Sequence, residues 1–175
     1  MSMRRVAVLA IAGAIAVALE SSLARDIPFL PAAPDLALVL SVYLGLHEHS
    51  VGGAIGAFLL GYLIDVTTGP APGLNCLTMT LVFGVVYLLS RRLWMENPAS
   101  NVAAVALGEG VKVAVALLYF AGLYRHEVPW LRVGRVLGLE ALLAMVCTPF
   151  VFGMIDAQLS AFGAGKRKPR AAATE

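Results

Sequence analysis

An all-α, polytopic membrane bundle of about six transmembrane segments is the architecture this sequence predicts. Apolar side chains make up 59% of its 175 residues and charged ones only 14%, where soluble domains carry about 25% charge. So few charges cannot coat a water-facing surface on a chain this short, which must show much of itself to its surroundings. The mean hydropathy of +0.83 points to the same solvent, the acyl chains of a bilayer. The apolar residues also fall into six runs with short connections, leaving no stretch long enough to fold separately in water. A single integral membrane domain is therefore expected over residues 1–163, with a basic cytoplasmic tail lacking fixed structure at 164–175.

The six runs are Val6–Leu23, Leu36–Leu46, Val51–Ile64, Gly73–Ser90, Val102–Leu123 and Val136–Ile155. The fifth and sixth are long enough, at about 1.5 Å per residue, to cross a hydrocarbon core of about 30 Å. The second and third reach only about 17 to 21 Å unextended. Either they borrow flanking residues such as Asp35, His47, Glu48 and Asp65, or they form a re-entrant pair shielded by neighbours. The first run has a competing reading as a cleavable signal peptide, with Arg4 and Arg5 before Val6–Leu19 and Ser22-Leu23-Ala24 after it. Glu20, between the apolar run and the cut, argues against cleavage.

Positive residues set the orientation. With the N-terminus inside, the cytoplasmic face collects Arg4, Arg5, Arg91, Arg92 and the tail residues Lys166, Arg167, Lys168 and Arg170. Arg25, Arg125, Arg132 and Arg135 fall on the other side. Both termini are expected in the cytoplasm, the tail resting on anionic headgroups rather than nucleic acid.

Two patterns single out residues for packing or function. Gly53, Ala57, Gly61 and Asp65 recur every four residues in the third run, with Gly52 and Gly56 beside them, making a smooth face that suits close helix packing or a partner helix. Ala106, Gly110 and Ala114 repeat the pattern in the fifth run. Charges inside apolar runs are costly and need a reason. Glu109 and Lys112 adjoin on one helix surface, and Glu140 in the sixth run has no local partner, so a buried Glu109, Lys112, Glu140 cluster is predicted. It serves either as a structural ion pair or as a proton or solute path.

Pro34 and Asp35 suit the start of the second run, Pro28 and Pro31 stiffening the approach, and Asp65 closes the third before the turn-rich Thr67 to Asn75. Both aspartates are expected at the outer face. His47, Glu48 and His49 form a polar triplet that reads as a solvated turn. Cys76 and Cys147 show no ligand or redox spacing and read as small buried hydrophobes. There is no phosphate loop, no Cys/His ligand pattern and no serine beside a base, so neither catalysis nor a cofactor or metal is expected.

Pro34-Asp35-Leu36 opens an apolar run containing Tyr43. Gly53, Gly56, Phe58, Leu59 and Gly61 then lead to Asp65, and Gly69 to Gly73-Leu74-Asn75. In this order the stretch from Pro34 to Leu81 resembles the MreD family of rod shape-determining membrane proteins. The resemblance implies a non-enzymatic inner-membrane component of the bacterial elongation machinery. Its implied partners are a bitopic MreC-like protein and, less directly, MreB filaments, a penicillin-binding transpeptidase and the SEDS glycosyltransferase that build lateral peptidoglycan. The implied fold is similar to the six-helix substrate-binding component of energy-coupling-factor transporters. A small-molecule-binding transporter subunit is therefore the alternative, with Asp35, Asp65, Asn75 and Glu140 converging on a ligand. The aromatic content of 8% weighs against such a pocket.

Overall fold

The structure, a computed structural model, describes residues 3–26, 34–67, 72–91, 98–123 and 130–161. Among these the chain is all-helical, with no strand. Its helices are α1 (Met3–Asp26), α2 (Leu36–His47), α3 (Val51–Thr67), α4 (Leu74–Ser90), α5 (Pro98–Leu123) and α6 (Trp130–Ala161). The tail at 164–175, the approach through Pro28 and Pro31, the positions of Arg92 and Arg125, and the turn residues Thr68, Gly69 and Pro70 lie outside the described residues.

Each apolar run becomes one helix, and the largest extensions are at the long ones: α5 starts four residues before Val102, and α6 extends six residues beyond each end of its run. Stretches Ala99–Tyr119 of α5 and Gly134–Ala161 of α6 are long and apolar enough to cross a membrane. α6 continues through Pro149, whose missing N–H removes one rung of the helix ladder. The preceding Thr148 is fully buried and donates its hydroxyl to the Ala144 carbonyl at 2.7 Å.

The shortest helix is the centre of the bundle. α2, twelve residues and about 18 Å long, packs against every other helix. Ala37, Leu38, Val39 and Val42 are completely enclosed. A segment too short to cross a bilayer unaided is thus shielded on all sides by longer neighbours, which is how lipid tolerates one. α4 runs alongside it in the same direction, Ser41 opposite Met79 and Gly45 opposite Val86. α3 folds back antiparallel on α4, α5 packs on α4 and α6, and α1 closes the bundle against α2, α3 and α6.

The outward surface is apolar. Val51, Leu118 and Phe150 are 78%, 76% and 75% exposed, and Leu88 and Val146 also point outward. Large apolar side chains spread over the perimeter on α3, α4, α5 and α6 suit contact with acyl chains, where water would make them an aggregation surface.

Candidate functional site

The most constrained part of the molecule begins at the start of α2. The helix opens without its own amide partners, and Asp35 supplies one: its Oδ1 accepts from the Leu38 amide at 2.7 Å, capping the helix. Pro34 stands just before the cap, its carbonyl accepting from the Leu36 amide at 2.9 Å. The other oxygen of Asp35 lies 2.6 Å from the Lys112 ammonium of α5, and Glu140 Oε1 of α6 lies 2.7 Å from the same nitrogen. One lysine therefore joins three helices. Asp35 is 2% exposed, so the ion pair stands in a place where an unpaired charge would be strongly disfavoured.

This arrangement brings Lys112 and Glu140 together as the sequence suggests and adds Asp35, 77 residues away, which no helical spacing connects to either. Glu109 behaves differently from the expected neutralising pair with Lys112. It is buried, 3% exposed, and neither carboxyl oxygen has a hydrogen-bond partner among the described residues. The long lysine stem carries the ammonium to carboxylates on α2 and α6 instead of back along α5 to Glu109.

Asp65 organises a second helix start. Its Oδ2 accepts from the amides of Gly73 and Cys76, each at 3.1 Å, and its Oδ1 from the Asn75 amide at 3.2 Å and the Asn75 side-chain nitrogen at 3.1 Å. The carboxylate thus takes up the free N–H groups at the start of α4, an end whose cap residue, Gly73, has φ of +87° and no side chain to offer. These bonds favour the charged form of the carboxyl. Asp35 and Asp65 thus serve different helix ends, one against Lys112 and one against Asn75.

The small-residue face of α3 lies against α4. A Cβ on Gly61 would run into the Asn75 carbonyl oxygen and stand 2.6 Å from the Cys76 Cα. One on Gly53 would stand 2.6 Å from the Glu48 carbonyl oxygen and 2.9 Å from the Phe83 ring. Ala57 between them is fully enclosed. This face is thus occupied by the chain itself. On α5 the small residue that lets helices approach is Gly108, against Val42 and Val82, while Ala106, Gly110 and Ala114 are exposed.

The polar triplet after α2 is less solvated than the sequence suggests. Glu48 is 8% exposed, the His47 ring stacks on Tyr43 at 4.3 Å between centroids, and His49 Nε2 lies 3.0 Å from Ser90 Oγ. Tyr43, itself buried, donates its hydroxyl to Asp156 of α6 at 2.7 Å and meets Phe152 edge-on. α2 is thereby tied to α6 at both ends, by Lys112 and Glu140 at one and by Tyr43 and Asp156 at the other. Cys76 is buried, but Cys147 is half-buried, and both are free thiols.

An ammonium held by two carboxylates, a carboxylate cap and a buried tyrosine fix helices in register. A family model described as rod shape-determining protein MreD matches residues 3–157, taking in α1 to α5 whole, α6 as far as Ala157, and every polar contact described above. The chain belongs to the MreD family. Neither the curated proteins nor the solved structures yield a match. Membership makes the chain a membrane protein with a role in rod shape determination, in a family of structural components of the shape-determining complex. The match covers the tripartite Asp35, Lys112, Glu140 contact but does not single it out.

Proposed function

We propose that this MreD-family chain is a non-enzymatic scaffold of the inner membrane. It seats the transmembrane helix of an MreC-like bitopic protein and helps hold the penicillin-binding transpeptidase and SEDS glycosyltransferase of the elongation machinery in a working arrangement, with MreB filaments engaged indirectly. All six helices cross or enter the bilayer in this reading, with both termini cytoplasmic and a helix arrangement like that of the energy-coupling-factor substrate-binding component. The observation that carries it is the family match over residues 3–157, joined to a bundle in which Asp35, Lys112, Glu140, Asp65 and Asn75 are spent on holding helices together.

The transporter-subunit alternative needs Asp35, Asp65, Asn75 and Glu140 free for a ligand. Asp35 and Glu140 share Lys112, and Asp65 and Asn75 bond each other, so these groups already have partners. Depletion of the chain from rod-shaped cells tests the scaffold reading. It predicts rounding of the cells together with loss of association between the single-span protein and the wall synthases. Rounding with that association intact would contradict it.

A further inference from the structure

α5 and α6 enclose a groove of about 480 Å³ on the perimeter of the bundle. Ala106 and Gly110 form one wall and Gly134, Gly138 and Ala141 the other, with Glu109 also lining it. Unlike the small residues of α3, these are unoccupied: a Cβ on Gly110, Gly134 or Gly138 would meet nothing within 4 Å among the described residues. Small residues at four-residue spacing on both walls let a third helix backbone come close. The second observation is chemical. Both Glu109 oxygens are shut away from solvent without a hydrogen-bond partner among the described residues, beside a lysine already committed to Asp35 and Glu140.

We propose that this groove receives one transmembrane helix of a partner protein, with small residues on its contacting face and a hydroxyl or amide side chain that donates to Glu109. This rests on the scaffold reading and names its docking site. The depth of Glu109 selects a helix over a lipid. It lies eleven residues, about 17 Å, into α5 and within the stretch Ala99–Tyr119 that is long and apolar enough to cross a membrane, where acyl chains offer no donor. A second copy of the chain is disfavoured for a different reason. A two-fold contact through this face would set the two Glu109 side chains against each other, acceptor to acceptor.

The test places a benzophenone amino acid at Leu117, on the groove, and at Val146, exposed elsewhere on α6, in the full-length chain in native membranes. The expected Leu117 product is a crosslink mapping within the transmembrane segment of a single-span protein. Gly138→Leu, which fills open space, should lower its yield about tenfold, the equivalent of one interhelical hydrogen bond with its packing. Glu109→Leu should lower it likewise, and Glu109→Gln should retain it, while products from Val146 are unchanged. An undiminished crosslink in Gly138→Leu, or Leu117 products consisting only of phospholipid or only of a second copy, would overturn the site. Affinity capture by the unmodified chain separates the two claims. A single-span protein that is still captured, with no Leu117 crosslink to it, leaves the scaffold reading standing and removes the groove; loss of capture altogether removes both.

Discussion

The Lys112 ammonium sits 2.6 Å from the Asp35 carboxylate across 77 residues of sequence, and that carboxylate also caps α2 through the Leu38 amide. The start of the central helix and the middle of α5 are therefore held by one side chain, with Glu140 drawing in α6. A central helix of only twelve residues depends on such anchoring, since it has little length over which to pack.

Removing the lysine alone should be the most damaging single change in the cluster. Lys112→Met leaves Asp35 and Glu140 facing each other without a counter-ion, a loss of about 3–5 kcal/mol by analogy with broken buried pairs. The triple variant Asp35→Asn, Lys112→Met, Glu140→Gln keeps the helix cap and removes the charges, and should recover most of that loss. Thermal unfolding of the detergent-purified protein checks the order; a single variant as stable as the triple one would refute it.

Gly61 and Gly84 should respond oppositely to the same methyl group. Gly61→Ala drives a Cβ into the backbone at Asn75 and Cys76 and should cost about 1–3 kcal/mol by prying α3 from α4. Gly84→Ala enters open space on α4 and should be neutral or stabilising by up to about 1 kcal/mol, because alanine favours the helix. Melting temperatures of the two variants give the comparison directly.

At the start of α4, Asp65→Ala removes four accepted hydrogen bonds at once and should cost about 0.5–2 kcal/mol, with Asp65→Asn intermediate. The local signature is faster hydrogen exchange at the Asn75 and Cys76 amides. Protection unchanged in Asp65→Ala would show that α4 does not rely on this cap.

Tyr43→Phe isolates the tie at the opposite end of α2. It deletes the hydroxyl bonded to Asp156 and leaves a ring that can still stack on His47 and meet Phe152, so a loss of about 1 kcal/mol is expected. A loss several times larger in the melting curve would mean that the ring itself had moved.

The helices were legible because apolar runs and turn residues mark them locally. The end of the second run at Leu46 and the start of the fourth at Gly73 fall within a residue of the helix bounds, His47 and Leu74. Lys112 announced a need for carboxylates, and Glu140 was the nearest unclaimed one, but Asp35 could be joined to it only by the fold. The α3 glycines showed that two backbones approach closely without showing which second helix would take the space, since α4 and a foreign helix satisfy the same spacing. The burial of Glu48 and the stacking of His47 were hidden for a related reason. A polar triplet after a helix reads as solvated unless the neighbouring helices are known to close over it.

The central claim is that this chain works by holding other membrane proteins, and affinity purification of the tagged chain from mildly crosslinked membranes tests it most directly. Mass spectrometry is predicted to find a single-span MreC-like protein together with the wall synthases. Recovery of a transporter's ATPases and coupling subunit in their place would contradict the account.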